Sequence, residues 1–191
     1  MHSINIELMR EQNKEKTDAK YLDVAKNLER AGAEAILICA NTPHMVYEHV
    51  QPQINVPILH IADAVGKEAR KKGLIKLGLL GNRPTMTGDF IQGILASNYN
   101  IQTLIPETHC INQSHTYVSK ELTQGQFTNT AKKFFLNQID LLYKRGVEGI
   151  ILGCTELPLL IKQDEIDVPA LATTNLHAQM AVDFILEKTT G

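Results

Sequence analysis

With 191 residues, of which 43% are hydrophobic and 21% charged, the chain has the composition of a globular protein large enough for a substantial core. A formal net charge of -2 gives no electrostatic footing for nucleic acid or an anionic membrane surface. No apolar run approaches the roughly 20 residues that span a bilayer, and the first residues lack the basic segment and apolar core of a secretory leader, so a cytoplasmic setting with reduced thiols is expected.

Short apolar runs alternate with amphipathic stretches, the pattern of an α/β protein with mainly parallel sheets flanked by helices. Residues 4–8 alternate and predict a short edge strand. Residues 17–30 predict a helix, with Leu22, Ala25, Leu28 and Ala31 at three-residue spacing and Gly32 as its stop. A buried strand follows at 35–38, with Cys39 at its carboxyl end, and Pro43 opens the next helix. Residues 56–61 predict a strand, and Asp63 a cap for the helix through Lys72, whose charge run at 67–72 reads as a solvated face. A strand at 77–80 runs into Gly81-Asn82-Arg83-Pro84-Thr85-Met86. Thr85 or Thr87 is the expected cap of the helix carrying Phe90, Ile91, Ile94 and Leu95. Then come a strand at 101–105, helices at 113–122 and 127–145 split at Gly125, and a strand at 150–152 with Cys154 just beyond it. Leu157-Pro158 begins a helical turn, and a strand at 168–171 and a helix at 175–187 close the chain.

Two stretches read almost alike. Gly32-Ala33-Glu34-Ala35-Ile36-Leu37-Ile38-Cys39 is echoed by Gly146-Val147-Glu148-Gly149-Ile150-Ile151-Leu152-Gly153-Cys154, and Ile54-Asn55-Val56-Pro57 by Ile166-Asp167-Val168-Pro169. Such a repeat predicts two related halves, each offering a thiol where open parallel sheets bind ligands, beyond the strand ends. A helix start just after each thiol would favour a thiolate. Free cysteine is also among the most buried residue types, so either thiol alone reads more readily as core; the repeat and the polar tail behind each one favour chemistry. Cys110 has no counterpart and reads as structural. With no Cys-x-x-Cys pair there is no zinc motif, and Gly78-x-x-Gly81 is not a dinucleotide fingerprint.

Several segments together resemble the aspartate/glutamate racemase family. They are Cys39-Ala40-Asn41-Thr42-Pro43-His44, Gly78-Leu79-Leu80-Gly81 with Thr85-Met86, and Gly153-Cys154-Thr155-Glu156-Leu157-Pro158. His60-Ile61-Ala62-Asp63-Ala64 and Leu122-Thr123-Gln124-Gly125-Gln126-Phe127-Thr128 are similar to its broad-specificity amino-acid branch. The resemblance implies two pseudo-symmetric α/β lobes, residues 1–65 plus 170–191 and residues 66–169. It also implies racemisation of aspartate, glutamate or another amino acid by two-cysteine proton transfer, without pyridoxal phosphate, any other cofactor or a metal. Cys39 and Cys154 would be the acid/base pair. Asn41, Thr42, Thr85, Met86 and Thr155 would hold the substrate, with His44 and Glu156 in supporting roles. The partner implied is a small-molecule amino acid, with no nucleic acid or membrane, in a homodimer.

The chain also departs from that pattern. Family members usually open with a strand and a Gly-Gly-Met loop that grips the substrate carboxylate, whereas Met1-His2-Ser3 resembles the start of their second strand. A strand–helix unit on the order of 30 residues or more is therefore expected to be missing from the first lobe. Ala172 stands where the family commonly has an acidic residue. Two other readings stay open on the sequence: a related two-cysteine enzyme of the hydantoin racemase or maleate isomerase type, and an inactive relative that binds small acids or a partner.

Overall fold

A computed structural model describes residues 14–189 of the chain; the strand expected at 4–8 lies outside the described residues. Helix α1, Lys14–Arg30, buries Ala25 against the first lobe while Val24 and Leu28 stay exposed, so the apolar stripe is narrower than the spacing predicts. Gly32 ends it at φ +89°, and the Ala33 amide closes back on the Leu28 carbonyl at 3.0 Å. This is the left-handed closure that favours glycine. Gly146 repeats it at φ +83° in the second half.

The first sheet is small: β1, Ile36–Leu37, lies parallel to β2, Ile58–Leu59. The strand expected at 56–61 is cut to two residues. Pro57 has no amide to give, and its carbonyl accepts from Ile36 at 2.9 Å. Helix α2, Ile61–Lys71, is capped by His60, whose Nδ1 accepts from the Ala62 amide at 3.1 Å. Asp63 is not the cap; its carboxylate accepts from Tyr99 Oη at 3.0 Å instead.

Strand β3, Lys76–Gly81, leads into a one-turn helix α3, Arg83–Thr87, capped by the Asn82 side chain. That turn displaces both threonines from the expected cap. Helix α4, Asp89–Tyr99, starts after Gly88 with no side-chain cap. Strand β4, Gln102–Leu104, and helix α5, Thr108–Lys120, follow, the helix starting five residues earlier than expected because Cys110 and Ile111 join its buried face. Helix α6, Asn129–Lys144, is capped by Thr128. Strand β5, Gly149–Gly153, strand β6, Ala170–Ala172, and helix α7, Thr173–Thr189, complete the order.

The second sheet runs β4-β3-β5-β6, and its strand pairs are all parallel. β6 pairs with β5, so this sheet reaches Ala172, three residues beyond the expected lobe boundary at 169. Its central strands alternate: Leu80, Ile150 and Leu152 face a core with Phe135 and Leu142 of α6, while Leu77, Leu79 and Ile151 face one with Val65 of α2 and Leu95 of α4. Helices thus cover both faces, the usual condition for a parallel sheet. A separate cluster, built on Ala25, Ile36, Val50 and Ile58, holds the first lobe. Among the described residues no helix is long and apolar enough to cross a membrane.

Candidate active site

The carboxyl ends of β1, β3 and β5 meet at the junction of the lobes. Gly81 and Gly153 lie in register there, and a Cβ on Gly81 would stand 2.8 Å from the Gly153 carbonyl oxygen. Only glycine lets these two strand ends come so close. The chain then turns outward on both strands, into Asn82 and into Cys154.

A cavity of about 400 Å³ opens at this point, and Asn41, Thr42, Thr85, Cys154, Thr155 and Glu156 all line it. Six of the nine side chains expected at a site are therefore brought together. Cys39 is exposed, and its neighbour Ala40 lines the cavity while Cys39 does not. Met86 is a correction: it is fully buried and packs in the core formed with Ile61, Leu79 and Ile91, because the short α3 turns that side chain inward. His44 also stands back from the cavity.

Hydrogen bonds tie the lobes together around the cavity. Thr42 of the first lobe lies 3.2 Å from Thr85 Oγ1 and accepts from Asn82 Nδ2 at 3.1 Å. Asn82 Oδ1 accepts in turn from the Thr85 amide at 3.0 Å. Asn41 Nδ2 donates to Thr173 Oγ1 at 3.0 Å, and Thr173 passes its own proton to the Leu152 carbonyl, also at 3.0 Å. The other end of the Asn41 amide, Oδ1, is buried with no hydrogen-bond partner although the residue is only 4% exposed.

Cys154 is 8% exposed and its thiol donates to Glu156 Oε2 at 2.8 Å. Burial, and then the adjacent carboxylate, push this thiol well above the ordinary cysteine range, so it rests protonated. His44 braces the first thiol's loop from behind: its Nδ1–H donates to the Ala40 carbonyl at 2.8 Å and its Nε2 accepts from the Ile61 amide at 3.2 Å. Burial and the neighbouring His177 hold it neutral, its pKa lowered to about 4. Its ring lines a different cavity, of about 700 Å³, with Tyr21, Tyr47 and Phe90.

Sequence reasoning missed Asn82, Thr173 and the outer wall of Ser119, Thr123 and Gln124. Asn82 carried a signal, since it directly follows the carboxyl end of a buried strand. Among the described residues no group of three or more His, Cys, Asp or Glu is placed to hold a metal ion.

The model of the Asp/Glu/hydantoin racemase family matches residues 4–181. The chain belongs to this family. It is 27% identical to the broad specificity amino-acid racemase RacX of Bacillus subtilis, over 86% of this chain and 70% of that one. Against the glutamate racemase of Aquifex pyrophilus it is 25% identical, covering 54% of that protein. Two solved structures superpose closely. A Yersinia pestis protein described as a candidate Asp/Glu racemase gives a TM-score of 0.88 at 35% identity, covering 95% of this chain and 79% of that one. An aspartate racemase homologue from Pyrococcus horikoshii gives 0.82, also at 35% identity, over 96% and 81%.

Proposed function

We propose that this chain racemises a free amino acid, using Cys39 and Cys154 to move the α-proton from one face of the substrate to the other. The observation that carries the reading is the protonated Cys154, hydrogen-bonded to Glu156 on the wall of a cavity that also gathers Asn41, Thr42, Thr85 and Thr155. In one direction Cys39 as thiolate, its side chain turned from the surface toward the cavity that its neighbour Ala40 lines, takes the α-proton, and the Cys154 thiol delivers its proton to the opposite face of the carbanion. Cys154 is then the thiolate and Cys39 the thiol, the pair needed for the reverse reaction. For a further turnover in the same direction the exposed Cys39 thiol releases the captured proton to solvent, and Cys154 regains one by way of Glu156. The Thr42–Thr85–Asn82 group supplies hydroxyl and amide donors to the α-carboxylate. Removal from water strengthens each of these contacts as negative charge builds on the α-carbon.

The test is α-proton exchange in deuterium oxide, followed by NMR with L-amino acids and the folded protein. Exchange with loss of optical rotation is expected. Replacing either Cys39 or Cys154 by serine should lower the rate by about 10²–10⁴-fold, the usual contribution of a positioned acid or base. Unchanged exchange in Cys39→Ser would remove the two-thiol mechanism.

A further inference from the structure

We infer that the side chain this site accepts is neutral and carries a hydrogen-bond donor, an amide or a hydroxyl, in place of the carboxylate of aspartate or glutamate. The inference rests on the racemase reading above and deepens it. Among the described residues lining the cavity the one charged side chain is Glu156, an anion, and none is cationic. A second carboxylate on the substrate would thus enter a cavity that already holds a negative charge and offers it no counter-ion.

The outer wall adds an independent argument from proton positions. Ser119 Oγ donates its proton to the His115 carbonyl at 2.7 Å, and Thr123 Oγ1 donates to the Ser119 carbonyl at 3.0 Å. Both hydroxyl protons are therefore committed to helix carbonyls, and what the oxygens present outward is lone pairs. Gln124 turns its Nε2 toward Thr123 Oγ1 at 3.4 Å, which leaves one N–H and the carbonyl oxygen of this amide for a ligand. A carboxylate only accepts and finds a single donor among these groups, the second N–H of Gln124, whereas an amide or hydroxyl donates and finds three acceptors. The same wall that repels glutamate therefore matches glutamine, and the same holds for aspartate against asparagine.

Those isosteric pairs make the experiment clean, because size and shape cancel. The rate constant kcat/KM for α-proton exchange should be at least ~10-fold higher for glutamine than for glutamate, or for asparagine than for aspartate, the least discrimination expected of a site whose hydrogen-bonding groups match one of each pair and not the other. Gln124→Arg, shown folded by its thermal melt, should move the ratio toward the acids by a similar factor. Equal or faster exchange of the acids by the unmodified protein overturns the inference and leaves the racemase reading standing. Thermal shift with the same four amino acids separates the two ideas further. If no amino acid exchanges, the racemase reading fails, while stronger stabilisation by the amides than by the acids still supports the side-chain preference and the opposite order refutes it.

Discussion

At the scale of single residues, the site is set by how burial and one carboxylate act on Cys154. Its thiol is held protonated because the thiolate would be both desolvated and 2.8 Å from Glu156. Glu156→Gln keeps an oxygen acceptor but removes the charge, so the thiolate of Cys154 should form at lower pH than in the unmodified protein. Thiolate absorbance near 240 nm, read against pH in a Cys39→Ser, Cys110→Ser background, reports this directly; an unmoved titration would show that Glu156 does not govern the thiol. A second residue-scale effect lies behind the site. His44, His60 and His177 pack edge to face, and burial lowers the pKa of each, to about 4 for His44 and about 3 for His60. Unfolded histidine titrates near 6.5, so the unfolded chain binds protons that the folded one refuses. The stabilisation is therefore complete above about pH 6.5 and is lost as pH falls toward 4, at ~1.4 kcal/mol per pH unit for each of His44 and His60. Denaturation midpoints between pH 7 and 4.5 should fall steeply. His60→Asn retains a capping acceptor for Ala62 and should make that slope shallower by about one proton.

At the scale of elements, the packing of α2 on α4 is built around an absent side chain. Gly66 lies against the ring of Tyr99, close enough that a Cβ would overlap Cδ2, while Tyr99 Oη donates to Asp63 and Arg70 lies 4.9 Å over the ring. Gly66→Ala must displace a ring pinned on two sides, so overpacking should outweigh the gain in helix propensity. A loss of ~1–3 kcal/mol is expected in urea denaturation. These contacts also explain what the sequence left obscure. The helices were legible because their apolar positions recur, and the strand ends were legible because thiols and glycines follow short apolar runs. Asp63 looked like a cap because its role depends on Tyr99, 36 residues away. Met86 looked like a site residue because it adjoins Thr85, and only the one-turn α3 decides that neighbouring side chains face the core and the cavity. Ser119 sits in a segment whose spacing carries no chemistry, and Thr123 and Gln124 in one that gave only a family resemblance; folding alone brings them to the cavity that Cys154 lines.

At the scale of the whole molecule, the two lobes share a site only if something fixes them in register, and Thr173 is placed to do so. Its hydroxyl accepts from Asn41, two residues after Cys39, and donates to the carbonyl of Leu152, two residues before Cys154. One oxygen thus links the two thiol-bearing segments, and it is 1% exposed, so water cannot replace either bond. Thr173→Val conserves shape while leaving the Asn41 amide and the Leu152 carbonyl buried without this partner. Each such group costs about 1–3 kcal/mol when unsatisfied, and the thermal midpoint should fall accordingly. Stability alone would not show that the link positions chemistry. Thr173→Ser restores the hydroxyl with less packing, so it should recover exchange activity more fully than it recovers thermal stability. Exchange measured well below the melting temperature of each variant separates the two effects. If Thr173→Val, fully folded, exchanges α-protons at the unmodified rate, the lobes are held in register by the Thr42–Asn82–Thr85 contacts without help from Thr173.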